Sequence, residues 1–269
     1  GFIQFDTEPE QYLFTYVLRA GTAPAKLGAI GILRRVFERL RAGFRKAKLL
    51  VRLDGGFACP EILQFLEDQK VRYVVAMAGN RVLDRLSGGW MQQARERSAQ
   101  SGHTEHVYGE VRYAAGSWER ERHIVVKAEV VRLQDRAPRD NARFVITNLT
   151  TKPQKLYEDI YCQRAHIELR IKELHHGLEI DRTSCTRFWA NQLRVLLTAA
   201  AYVLMQELRR QAAGTSCAQA QVSTLRERLL KLGVWVSCSV RRIVLHLPQS
   251  APWRAEWCRL ARRLSAAPG

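Results

Sequence analysis

The sequence predicts an α/β (α+β) protein: a mixed sheet with flanking helices, a β-rich insertion and a helical C-terminal part. Three observations carry that expectation. The apolar run 47–53 ends in Asp54-Gly55-Gly56-Phe57, and a helical stretch over 60–69 separates it from a second apolar run, Val71 to Met77. Strand, helix, strand in that order forms a βαβ unit with a parallel pair. From Gly79 to about Arg139 the pattern changes to alternating or β-branched runs, Val107 to Tyr113 and His123 to Val131, with Gly109, Gly116 and Trp118 between them. After Gly177 the chain reads as mostly helical.

Taken in order, residues 2–5 and 11–19 read as a hairpin with Asp6 to Glu10 as its turn. Gly21-Thr-Ala-Pro24 opens a helix to about Gly43, with Arg34, Arg35, Arg39, Arg41 and Arg45 on its outer side. Arg143 to Thr147 returns to a core strand. A long helix follows, capped by Thr150 or Thr151, with Pro153 in its first turn and Gly177 at its end. Trp189 to about Arg210 is a long, largely apolar helix and 219–232 a more basic one. Residues 235–247 form a hairpin or bent strand, and 251–264 a closing amphipathic helix whose tryptophans fill space between helices. The expected organisation is a first core part over 1–78, the insertion over 79–142, a second core part over 143–180 and a basic helical region over 181–269.

Composition narrows the partners. The 269 residues are 46% hydrophobic, enough to bury a sizeable core. There are 43 Lys and Arg against 26 Asp and Glu, a net charge of +17, which calls for a polyanion. Nucleic acid is the simplest such partner, ahead of an acidic membrane surface. From Arg182 onward, fourteen basic residues meet only Glu207, Glu227 and Glu256. The six cysteines are scattered without a C-x-x-C pair, which argues against zinc or a disulfide framework and fits a reducing cytosol. No signal peptide or membrane-length apolar run is present.

The stretch from Tyr161 to His175 organises the rest. At 100° per residue, Tyr161, Arg164, Glu168, Lys172 and His175 share about an 80° arc of one helix. Leu156, Ile160, Ile167, Ile171, Leu174 and Leu178 form a neighbouring apolar arc. A carboxylate among cations at the edge of a core fits a metal ligand facing a phosphate backbone; it also fits ordinary i,i+4 ion pairs on a half-exposed helix. Asp54 is open to two readings as well. A buried strand delivers a carboxylate to the carboxyl edge of a sheet in this way, and Asp-Gly is also a common turn.

Tyr161-x2-Arg164-x3-Glu168 with a basic group seven residues on resembles the Y-R-E signature of bacterial insertion-sequence transposases of the DDE type. Ile171-Lys172-Glu173-Leu174, Leu18-Arg-Ala-Gly21, Leu53-Asp-Gly-Gly-Phe57 and Arg143-Phe-Val-Ile-Thr-Asn148 resemble the branch known as transposase DDE domain group 1. The resemblance runs from about residue 12 to the C-terminal helices. It implies an RNase H-like fold and a DNA transposase that cuts and joins phosphodiesters at element ends with two divalent cations. It also implies Mg²⁺, or Mn²⁺ in its place, held by Asp54 as second acid and Glu168 as third. Tyr161, Arg164, Lys172 and His175 would then contact DNA phosphates. The implied partners are double-stranded DNA and a second copy of the chain in a synaptic dimer, with no membrane.

Two positions depart from the family pattern. His175 stands where Lys is usual, and Lys172 lies on the same face to substitute. The first catalytic Asp has no match: Asp6 is twelve residues before Leu18 and reads as a hairpin turn. The chain opens Gly1-Phe-Ile-Gln-Phe5 without Met, so the expectation is an N-terminally truncated chain, inactive as it stands. The alternatives are a non-catalytic DNA-binding remnant of the same lineage and a basic α/β scaffold that binds RNA.

Overall fold

The chain runs through β1 (Phe2–Gln4), β2 (Gln11–Leu13), α1 (Ala29–Gly43), β3 (Leu50–Leu53), α2 (Pro60–Asp68), β4 (Arg72–Met77), α3 (Arg81–Leu86) and α4 (Gly88–Ser101). It continues through β5 (Glu105–Tyr113), β6 (Arg122–Val131), β7 (Arg139–Thr147), α5 (Pro153–Lys155), α6 (Ala165–Lys172), α7 (Phe188–Gln211), α8 (Val222–Leu225), β8 (Trp235–Ser239), β9 (Arg242–His246) and α9 (Arg254–Ser265). The computed structural model describes residues 1–6 and 8–265, the side chains of residues 164–166 excepted. The chain divides into two compact units, one of residues 21–164 and one of residues 1–20 with 165–269. No helix among the described residues is long and apolar enough to cross a membrane.

The unit of residues 21–164 is built on one mixed sheet in the order β3-β4-β7-β6-β5. β3 and β4 run parallel, joined by α2 as the βαβ expectation requires, and the other pairs are antiparallel. This mixed sheet with helices agrees with the RNase H-like α+β expectation. Strand alternation divides the side chains between two faces. Tyr73, Val75, Ile124, Val126, Phe144 and Ile146 pack against α1 and α2. Val74, Val125 and Val145 pack on the opposite face against Leu156 and Tyr157. Asn148 finishes the β4–β7 ladder with its side chain, accepting from the Tyr73 N–H and donating to the Val71 carbonyl, both at 2.9 Å.

The insertion differs from the β-rich segment expected over 79–142. It opens with two helices, and its strands continue the core sheet rather than forming a body of their own. The helices were hidden because α4 buries only Met91, Ala94 and Ser98, too thin an apolar stripe to mark a helix by periodicity. Local chemistry still accounts for them. Asn80 caps α3 by accepting from the Val82 and Leu83 N–H groups, and Gly102 ends α4 in the left-handed region at φ 72°. Gly109 is required in β5 because a Cβ there would come within 2.2 Å of the Trp90 ring, which lies flat on the strand.

A buried ion-pair network fastens α2 to β4 and β6. Glu67 accepts from Arg122 at 2.9 and 3.0 Å, from Tyr73 Oη at 2.7 Å and from Arg120. Burial alone would raise the Glu67 pKa, but the bonds from Arg122, Tyr73 and Arg120 outweigh it and hold the carboxyl below its ordinary value of 4.5. A lowered folded pKa stabilises above the unfolded value and is lost as pH falls through the folded one. Thermal stability is therefore expected to fall as pH drops below 4.5, and Glu67→Gln to flatten that fall in a pH series of melting temperatures.

In the other unit, β1 and β2 form the expected hairpin, shorter than 2–5 and 11–19, and exposed Asp6 lies in its turn. Gln206 of α7 holds β2 by its side chain, donating to the Gln11 carbonyl at 2.5 Å and accepting from the Leu13 N–H at 3.1 Å. Leu13, Leu174, Val195, Tyr202, Leu225 and Leu260 form the core. Trp257 packs against it and donates to the Leu229 carbonyl, filling space between helices as expected, while Arg228 lies 3.9 Å over the Trp253 ring.

Candidate active site

Val51 and Leu53 of β3 point into the core shared with α1 and α2. Alternation therefore sends Arg52 to the opposite face, and Asp54 with it, since its backbone stays extended at φ −83° and ψ 177°. Arg52 Nη1 donates to the Ile160 carbonyl at 3.1 Å and to Gln163 Oε1 at 3.4 Å. This fixes the strand that ends in Asp54 to the turn entering α6. Burial lowers the Arg52 pKa from its ordinary value, the cost of placing a cation against two neutral acceptors.

Asp54 caps the 3₁₀ turn Gly55–Phe57, its Oδ1 accepting from the Gly56 N–H at 3.1 Å. The carboxylate is half-exposed, and no cation pairs with it among the described residues. Gly56 lets that turn close: a Cβ there would lie 2.8 Å from the Ala25 Cβ and 3.3 Å from Asp54 Oδ1. Gly56→Ala is expected to destabilise the 21–164 unit by about 1–3 kcal/mol and to shift Asp54. A urea titration checks the first effect, and amide shifts at residues 54–57 the second.

The helical run 153–177 is continuous but not one regular α-helix. π-helical turns occupy Leu156–Tyr161 and Glu173–Gly177, and a 3₁₀ turn occupies Cys162–Arg164. Each π turn takes an extra residue and rotates the positions C-terminal to it. The expected apolar arc is broken as a result: Leu156 and Leu174 are fully buried, whereas Ile171 is 42% exposed. Within α6 the spacing is regular, so Glu168 and Lys172 share one exposed face four residues apart. Neither makes a hydrogen bond or ion pair among the described residues.

Tyr161 is half-buried and packs against Tyr157 with ring centroids 5.1 Å apart and the rings tilted by 53°. The side chain of Arg164 lies outside the described residues. His175 is engaged: its Nδ1 lies 3.1 Å from Asp181 Oδ2, and that bond holds the Asp181 pKa below its ordinary value. Asp54 and Tyr161 thus belong to the 21–164 unit, and Glu168, Lys172 and His175 to the other.

The donor chemistry suits a divalent cation in part. Asp54 and Glu168 are hard oxygen donors, and neither carboxylate pairs with a cation among the described residues. No group of three or more His, Cys, Asp or Glu that could hold a metal occurs among the described residues.

Sequence reasoning passed over two residues. Arg52 left a signal, a charge inside the apolar run Leu50-Val51-Arg52-Leu53. Glu173 was noticed only as part of a motif, yet it is the buried acid of this helical run. Its Oε1 accepts from Arg209 Nη2 at 2.5 Å and the Val222 N–H at 3.3 Å, and its Oε2 from Tyr202 Oη at 2.9 Å and Arg170 Nη1 at 3.1 Å. With its oxygens so committed, Glu173 holds the fold and is not open to a ligand.

No curated protein matches the chain. A family model described as transposase DDE domain group 1 matches residues 2–268.

Proposed function

Because the chain belongs to the family of transposases with a group 1 DDE domain, we propose that it binds double-stranded DNA at the ends of an insertion sequence and carries two of the acids that cleave and rejoin phosphodiesters there, but, with no match to the first acid, is inactive as it stands. Asp54 and Glu168 hold the divalent cation, Mg²⁺ or Mn²⁺. The observation that carries this reading is the placement of Asp54: a strand-end carboxylate, open to a ligand, on a strand that Arg52 fixes to Ile160 and Gln163 at the entrance to α6. A cation bound there supplies Lewis-acid stabilisation of the phosphoryl oxygens.

The rest of the work falls to the chain's own groups. Lys172, on the exposed face of α6 with Glu168, provides a point charge for a DNA phosphate. Arg164 suits bidentate phosphate binding, and Tyr161 offers a hydroxyl. His175 contributes less, because Asp181 already takes its Nδ1. The net charge of +17 supplies a general, salt-sensitive attraction for the duplex. Two copies of the chain bring two element ends together.

Fe²⁺-directed cleavage of the polypeptide tests the site without depending on turnover. With Fe²⁺, ascorbate and peroxide, the expected result is scission near both Asp54 and Glu168, suppressed by excess Mg²⁺ and lost at both positions in Asp54→Asn. Scission at neither position, or at Glu168 alone and unchanged by Asp54→Asn, overturns the assignment. In that case the chain is a DNA-binding member of the family without this metal site.

A further inference from the structure

Helix α7 is apolar on two sides. One stripe, including Val195, Tyr202 and Met205, is buried in its own unit. The other carries Trp189, Leu193, Leu197 and Leu204, which are 79%, 59%, 64% and 71% exposed. Between Phe188 and Gln206 the only charge is Arg194. A helix that is apolar all round is normally covered all round, and half of this one is bare.

The bare stripe is close to a palindrome. Leu193 and Ala201 lie four residues either side of Leu197, and Ala190 and Leu204 lie seven either side. All of these positions are exposed. Laid antiparallel on a second α7 with the two-fold at Leu197, each Leu193 meets an Ala201 and each Leu204 an Ala190. Large side chains then fall on small ones, the fit that close helix packing requires. The Leu178, Ala190, Leu193 and Ala201 side chains already form a shallow groove on this face. Four large apolar side chains between 59% and 79% exposed on one helix face make a contiguous patch of the kind that marks a protein–protein contact.

We infer that the α7 face centred on Leu197 joins two copies of this chain in an antiparallel helix pair. This gives a surface to the paired assembly proposed above. It is tested without DNA or metal, so its failure would leave the metal-site reading to its own experiment. Apolar association is little affected by salt, whereas pairing through bound DNA is weakened by it.

The test is sedimentation of the nuclease-treated full chain at micromolar concentration in high salt. The wild type is expected to be dimeric. Leu197→Glu, which sets two carboxylates face to face on the two-fold, is expected to be monomeric with an unchanged circular-dichroism melt. A second measurement fixes the register, with exposed Cys162, Cys185 and Cys238 replaced by Ser. In that background Leu197→Cys is expected to form a disulfide-linked dimer on mild oxidation. Leu204→Cys is not, since its twins would lie roughly 21 Å apart. A monomeric wild type, a Leu197→Glu variant that stays dimeric, or Leu204→Cys cross-linking as readily as Leu197→Cys would each overturn the proposal. The first of these would leave the face to another segment or a different partner.

Discussion

Asp54→Asn is expected to lower the affinity of the chain for Mn²⁺ by about a hundredfold or more while leaving its affinity for DNA nearly unchanged. The substitution is close to a pure change of charge. Asn keeps an oxygen in the place of Oδ1, so the bond from the Gly56 N–H and the turn over 55–57 survive. What is lost is the negative charge and the second hard oxygen, the two properties a divalent cation selects. Glu168→Gln is expected to do the same at smaller structural risk, because Glu168 is exposed and makes no hydrogen bond or ion pair among the described residues. Several kcal/mol of electrostatic stabilisation correspond to roughly 10³-fold in rate or more. Where metal-dependent nicking of DNA is measured, either variant should show a loss of that order. Mn²⁺ titration by electron paramagnetic resonance and salt-dependent fluorescence anisotropy with duplex DNA separate the two effects. Unchanged Mn²⁺ binding in both variants would remove Asp54 and Glu168 from the site.

Legibility followed how local the determining interaction was. The β3–α2–β4 unit was readable because two apolar runs flank a helix that begins at Pro60, and pattern and cap agree. The Arg143 to Thr147 strand was equally plain, although it begins earlier, at Arg139, where the alternation is weak. The insertion was half legible: β5 and β6 announce themselves by β-branched residues, whereas α4 is held mainly by contacts of Trp90, Met91 and Ala94 with distant strands. The helix of Glu168 was legible as a helix but not in its phase. A wheel drawn at 100° per residue cannot anticipate π turns, and these separate buried Leu174 from exposed Ile171. Apart from Arg170, three residues before Glu173, the partners of Arg52 and Glu173 lie more than twenty-five positions away, beyond the reach of any local pattern.

Glu173→Ala is expected to destabilise the C-terminal unit by about 3–5 kcal/mol, a large part of the roughly 5–15 kcal/mol that holds a typical domain folded. Arg209 is the reason. Its side chain is 5% exposed, with Nη2 on Glu173 Oε1, its Nε on the Ala220 carbonyl, and Nη1 without a hydrogen bond, 3.6 Å from Glu10 Oε1. Removing Glu173 leaves that guanidinium buried with one distant counter-charge and strips Tyr202 Oη of its acceptor. Glu173→Gln should cost less, since it keeps the oxygen facing Tyr202 or Arg209 but not the charge. The informative variant is the pair Glu173→Leu with Arg209→Met, which removes donor and acceptor together. Buried ion pairs barely offset their own desolvation, so the double variant should recover most of the loss. Urea unfolding monitored by circular dichroism gives the values for these variants and for the singles Glu173→Leu and Arg209→Met. If the double variant were as unstable as the sum of its singles, the network would be acting through packing. If Glu173→Ala alone cost less than about 1 kcal/mol, Glu173 would not be the hub of this unit.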